Sequence, residues 1–265
     1  MAGGHYHHSG PDALYVHGHS VVHRLAPEAK VVATVAFVGA VVCTPREAFW
    51  AFGALAALVL AAAAAAGLPA TLLLRRLRVE VPFVAFAVFL PLVGSGPDVD
   101  VLGVPLSQPG LWAAWNIVAK ATLGTLASIV LASTTPVADL LRGLDRLRVP
   151  RVVTAIAGFM VRYLAIITGE AQRMHVARQS RGYDPRWIGQ ARAWAGSAGT
   201  LFVRSYERGE RVYLAMASRG YTGTMPPLDT RGPGAAGRGA SRWAPALVLP
   251  VAAWAVAAVA LVGPT

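Results

Sequence analysis

"VVTAIAGFMVRYLAIIT", residues 152–168, is apolar enough to cross a membrane but carries Arg162 at its centre. Whether it crosses decides the fold. An arginine at mid-bilayer costs about 2.5–3.5 kcal/mol. A crossing here would also carry residues 170–242, with twelve Arg against five acidic residues, to the outer side. Lys and Arg accumulate in cytoplasmic loops. The stretch is therefore expected to stay at the cytoplasmic face, and with it the whole of 134–242.

The rest of the chain supplies the membrane around it. Of 265 residues, 55% are hydrophobic and only 14% charged, against about 25% charge in a typical soluble domain. Apolar segments cover 29–43, 48–66, 81–93, 111–131 and 243–262; the first is short for a span, and the third is interrupted by Pro82 and Pro91. "HRLAPEAK" (23–30) and "LRRLR" (74–78) place their ends inside, and the loop holding Asp98 and Asp100 outside. The expected fold is an all-α integral membrane protein with about five transmembrane helices and a cytoplasmic helical domain. Residues 1–28 form a cytoplasmic His-rich tail, and 29–133 a bundle of about four spans. Residues 134–225 form the cytoplasmic domain, 226–242 a linker and 243–263 the last span. The N-terminus shows no apolar core of a cleaved signal peptide. A lone Cys43 excludes an intramolecular disulfide. The net charge of +11, in this setting, points to anionic lipid, an acidic protein partner or simply a cytoplasmic location, and not to nucleic acid.

In "PVADLLRGLDRLRVP" (136–150) Val137, Leu140, Leu141, Leu144 and Leu147 follow helical spacing, with charges on the other faces. This reads as an interfacial amphipathic helix ended by Pro150. Two stretches of similar length follow, 151–181 and 189–219, each closing on Ser-Arg-Gly-Tyr. The alignment runs backwards, "RMHVARQSRGY" against "RVYLAMASRGY", with Arg173 matching Arg211 and Ala177 matching Ala215. Gly after a helix is the usual left-handed cap, so Gly182 and Gly220 are expected to end two long helices. Arg181 and Arg219 then stand in the last turn, where the helix dipole favours a cation. One such end is explained by capping alone. Two in the same register make a two-pronged contact, suited to a partner with two equivalent grooves and to bidentate pairing with carboxylates.

With these residues the chain resembles the transmembrane T component of energy-coupling factor transporters, most closely the cobalt/nickel CbiQ-like subgroup. The resemblance covers nearly the whole chain and is strongest over residues 133–184. The family's two Ala-Arg-Gly-like signatures read here as Ser180-Arg181-Gly182 and Ser218-Arg219-Gly220. Its His-x-Leu-Asp-Pro-Arg-x-Lys motif is similar to 23–30, with Ala26 for Asp and Glu28 for Arg. The resemblance implies a non-catalytic energy-coupling subunit in the bacterial inner membrane. It implies two ATP-binding-cassette ATPases as partners, each holding one signature Arg. It also implies a substrate-binding membrane subunit of the CbiM kind and a small accessory membrane subunit. ATP and Mg would be bound by the ATPases; no cofactor or metal is expected in this chain. A vitamin in place of the metal ion, or a scaffold for a cytoplasmic partner, is the alternative.

Other signals carry less. "GPGAAGRG" (232–239) lacks the Lys and hydroxyl of a P-loop. His5, His7, His8, His17, His19 and His23 read as a solvated tract, with transition-metal binding as the alternative, since nothing in the spacing fixes a ligand geometry. His175 reads as a surface or packing residue of a long helix. Asn116 and Lys120 lie inside the fourth span, where polar residues are candidates for function or for pairing within the bundle. Trp112, Trp115 and Trp243 suit interfacial belts.

Overall fold

The computed structural model describes residues 14–93, 97–101, 104–182, 191–223 and 240–262. They fold into helices α1 (Pro27–Cys43), α2 (Phe49–Ala65), α3 (Ala70–Leu77), α4 (Val81–Val93), α5 (Gln108–Thr134), α6 (Val137–Arg146), α7 (Arg151–Ser180), α8 (Ala191–Ala217) and α9 (Ala240–Val262), with a 3-10 turn at Arg78–Glu80. The chain divides into two units, Leu14–Gly143 with Arg231–Thr265, and Met1–Ala13 with Leu144–Thr230.

The first unit is a helical bundle. Helix α1 opens with Pro27 in its first turn and Glu28 beside it, both suited to a helix N-terminus. It packs against α5 and α9, while α2 packs against the same two helices. Phe37, Ala40, Val41, Leu55, Ala253 and Ala257 are almost completely enclosed. Lipid tails are as apolar as these side chains, so association here rests on close packing, and alanine at the contacts allows it. Helix α5 is capped by Ser107, whose hydroxyl accepts from the Gly110 N–H at 3.1 Å. Phe49 and Phe52 of α2 meet Trp112 and Trp115 of α5 with ring centroids 5.2–6.1 Å apart.

Two expectations are corrected. The 94–110 loop contains an antiparallel hairpin, Asp98–Val101 against Val104–Ser107. The alternation Asp-Val-Asp-Val is a period-two pattern that favours a strand pair over an irregular loop. The linker 226–242 ends early, because α9 already begins at Ala240. Among the described residues three helices are long and apolar enough to cross a membrane: Gln108–Thr134, Arg151–Ser180 and Pro245–Val262. Phe49–Ala65 is a shorter apolar helix. Helix α4, at 13 residues, reaches only about 20 Å. By length and composition α7 thus belongs to the crossing class; Arg162 and the arginines that follow are what speak for the surface.

The second unit is dominated by α7 and α8, of 30 and 27 residues, or roughly 45 and 40 Å. Helix α7 buries only Thr154, and its Val152, Val153, Ile156 and Met160 are exposed. Helix α8 exposes Phe202, Tyr206, Tyr213 and Leu214. Isolated helices of this length are held by packing on an apolar face, and here that face is only partly covered.

Candidate functional site: paired helix ends and their crossing

Both Ser-Arg-Gly sequences end a helix in the same way. After α7, Gly182 takes φ 75° and its N–H reaches the Gln179 carbonyl at 2.9 Å. After α8, Gly220 takes φ 84° and its N–H reaches Ala217 at 3.0 Å, while the Tyr221 N–H returns to Met216 at 3.1 Å. The last two bonds are the pair that defines a Schellman cap. A Cβ would meet nothing within 4 Å at either glycine. Backbone conformation, not crowding, therefore demands glycine there. The serines repeat the pattern: Ser180 Oγ donates to the Ala177 carbonyl at 3.0 Å and Ser218 Oγ to Ala215 at 3.1 Å. Each thereby satisfies a carbonyl that the ending helix leaves open.

Arg181 and Arg219 occupy the residue before the left-handed glycine in both copies and are exposed. Among the described residues neither guanidinium has a hydrogen-bond or ion-pair partner. Each is a fully charged, planar donor fork at the end of a long rigid rod. The helix dipole gives such a cation some support, about 0.3–1 kcal/mol, and leaves its five N–H donors available.

The two rods are joined part-way along. Glu170 of α7 accepts from Arg204 at 2.8 Å and from Arg208 at 3.4 Å, both on α8. Its side chain is only 14% exposed, and the Arg204 hydrogen bond holds the carboxyl below its ordinary pKa. Beside the ion cluster lies a cavity of about 310 Å³, lined by Phe159, Tyr163 and Ile167 of α7 and by Ser205, Gly209 and Met216 of α8. This join is absent from the sequence reading, which aligns the two helices without placing one on the other.

In the bundle, the 23–30 motif forms a separate polar knot. Lys30 is buried and donates to the Thr134 carbonyl at 2.9 Å, to Thr135 Oγ1 at 3.2 Å and to the His23 carbonyl at 3.3 Å. All three ammonium protons are used. His23 Nε2 donates to the Val16 carbonyl at 3.0 Å and Nδ1 meets Ser20 Oγ at 2.7 Å. Arg76 reaches Ser133 Oγ and, at 2.7 Å, the Leu14 carbonyl. The motif thus ties the N-terminal segment to the start of α6. Gly143 of α6 completes it, since a Cβ there would sit 2.9 Å from the Glu28 nitrogen.

The remaining candidates divide. Lys120 donates to the Val42 carbonyl at 2.8 Å, an open carbonyl at the end of α1, and so pairs inside the bundle. The Asn116 carboxamide oxygen is buried without a partner among the described residues. His175 is half-buried on α7. His5, His7 and His8 lie outside the described residues, and so do residues 189–190 of the second long stretch, the 232–239 segment and Asp184. Among the described residues no group of three or more His, Cys, Asp or Glu is placed to hold a metal ion.

A family model described as cobalt transport protein, CbiQ, matches residues 18–228. The chain belongs to the CbiQ family. The match takes in the Lys30 knot, the crossing and both helix ends. A cobalt transport protein CbiQ of Rhodobacter capsulatus is 35% identical over 143 residues, 53% of this chain and 56% of the relative. A fused cobalt transport protein CbiMQ of Methanocorpusculum labreanum is 26% identical over 152 residues, 55% of this chain and 25% of the relative. The chain therefore spans about half the length, or less, of these curated CbiQ-named relatives. An energy-coupling factor transporter transmembrane protein EcfT of Thermotoga maritima is 23% identical over 236 residues, 82% of this chain and 86% of the relative.

Proposed function

We propose that this CbiQ-family chain is the transmembrane energy-coupling subunit of an energy-coupling factor importer for cobalt or nickel ions. Its two long helices carry motion from a pair of ATP-binding-cassette ATPases to a membrane subunit that captures the substrate. Residues 134–242 face the cytoplasm, and ATP and Mg belong to the partner ATPases. The fused CbiMQ relative supports a CbiM-like substrate-binding partner, and the family description supports the metal cargo.

One observation carries this reading: two arginines, neither partnered among the described residues, each standing before a left-handed glycine at a helix end. Docking of Ser180-Arg181-Gly182 into one ATPase and Ser218-Arg219-Gly220 into the other uses the fork of each Arg against a carboxylate or carbonyl edge. Helix motion is transmitted because a rod of many hydrogen-bonded turns moves as a unit.

The test is co-purification with the ATPases after Arg181→Ala, Arg219→Ala or both. Stranding the partner of a buried charge pair costs about 2–5 kcal/mol. Each single variant is therefore expected to lower ATPase recovery sharply, and the double variant to abolish it. Arg→Lys restores only part, since Lys lacks the fork. Equal recovery from wild type and the double variant would reduce the arginines to helix caps. In a Cys43→Ser background, labelling of a cysteine at Gly196 from outside intact cells should give no signal; strong labelling would overturn the orientation.

A further inference from the structure

The repeat that ends in SRGY has an offset of 38 residues, and it places Glu170 in register with Arg208. These two residues touch, at 3.4 Å. The helices therefore meet at equivalent points of their own repeat. Glu170 and Arg181 are eleven positions apart, and so are Arg208 and Arg219. Each arginine thus stands about 16 Å along its own helix from the join. The arms are equal.

We infer that Glu170 is a positioning residue, a pin that fixes α7 on α8 at the one register that makes the two arms equal. The inference rests on the coupling reading above and adds what sets its geometry. A slip of one turn on either helix would shorten or lengthen one arm by about 5.4 Å. Two equivalent docking grooves cannot both accept such a mismatched pair. The chemistry of the join favours register over tightness. Apolar residues around the cavity can slide past one another, because contacts between CH groups have no preferred direction. A carboxylate with one arginine at 2.8 Å and a second one helical turn along at 3.4 Å is directional. It holds only when both cations flank it. A Cβ added at Gly209 would meet nothing within 4 Å, so the apolar side of the crossing is not wedged in place. The charge cluster is left to define where the helices meet.

The test uses the assembled transporter in a Cys43→Ser background, with spin labels at the exposed positions Val176 and Leu214. In the parent a single narrow distance is expected. Glu170→Gln should broaden it, and Arg204→Gln with Arg208→Gln should broaden it equally. All three changes together should do no more than either alone, because one contact is being removed. Glu170→Asp, one methylene shorter but still charged, should recover most of the narrow distribution. In the same variants, substrate taken up per ATP hydrolysed should fall roughly tenfold, the size of a coupling between contacting charges. ATPase recovery should fall only part-way, since both arginine tips remain but a mismatched pair seats only one of them at a time. An unchanged distance in Glu170→Gln, or additive broadening in the combined variant, would overturn the pin. The same distances are also read on the purified full-length chain without ATPases, so they are independent of ATPase docking. A failed pull-down in the parent would therefore sink the coupling reading, while the distances would still decide whether Glu170 sets the register.

Discussion

The bundle and the pair of long helices solve the same packing problem in opposite ways. In the bundle, α1 alone buries Glu28, Ala29, Lys30, Phe37, Ala40 and Val41, and Gly110 and Gly143 stand where another backbone is in contact. In the pair, α7 of nearly twice the length buries one residue. Its tie to α8 is an ion cluster beside a 310 Å³ cavity. A scaffold can be recognised by density, and a moving part by the shortage of it. The difference makes substitutions of one kind carry opposite signs in the two regions.

The largest effect is expected at the Lys30 knot. Lys30→Met keeps the length of the stem and removes the ammonium. It leaves the Thr134 and His23 carbonyls and Thr135 Oγ1 without their donor, at about 1–3 kcal/mol for each buried acceptor left unmade. The purified protein should lose its monodisperse peak at a clearly lower temperature than the parent. Unchanged heat stability would mean that water replaces the ammonium and the knot is not a structural centre. Truncating a charged residue of comparable size in the pair, Arg211 at its 4.0 Å surface contact with Glu207, should shift stability by under about 1 kcal/mol.

Next comes the same glycine change made in each region. Gly143→Ala must fit a Cβ 2.9 Å from the Glu28 nitrogen and 3.1 Å from the Pro27 carbonyl carbon. Overpacking of this kind costs about 1–3 kcal/mol. Gly158→Ala lies in α7 with nothing within 4 Å. It should gain about 0.5–1 kcal/mol from helix propensity. Thermal unfolding of the two variants in one detergent decides the matter. Losses in both would show that α7 is as tightly enclosed as the bundle, and the contrast between the regions would fall.

What is legible in the sequence follows from the same contrast. Helix ends are local chemistry: a Gly two residues after the last periodic position announces a left-handed cap, and both Gly182 and Gly220 adopt one. The family, the all-helical membrane class and the twin signature are all readable for that reason. Contacts between elements are not. Lys30 and Thr134 are 104 positions apart, and nothing in either neighbourhood names the other. The Glu170–Arg208 contact has a trace in the repeat offset, but an alignment states equivalence and not touch. The hairpin at Asp98–Ser107 escapes the sequence reading although its alternation is visible, because two strands of four residues are shorter than the patterns that stand out against a polar loop.

The smallest effect is predicted at a third cap, which tests whether the glycines of the pair are there for conformation alone. Helix α6 closes with the bonds of α8: the Arg148 N–H reaches Asp145 at 3.1 Å and the Val149 N–H reaches Leu144 at 3.2 Å. The left-handed position is filled by Arg148, at φ 61°. A side chain there costs about 1–2 kcal/mol in the folded state. Glycine avoids that cost but gives the unfolded chain more freedom, worth about 0.4–1 kcal/mol in the other direction. Arg148→Gly should therefore stabilise by less than about 1 kcal/mol. Gly220→Arg, the reciprocal change, should destabilise by a similar amount and leave α8 intact to Ala217. If Arg148→Gly instead lowers stability, the Arg148 side chain contributes more than its strained backbone loses. The cap geometry would then not account for glycine at 182 and 220, and close approach of the proposed partner's backbone would be the reason to test next for an absent side chain beside Arg181 and Arg219.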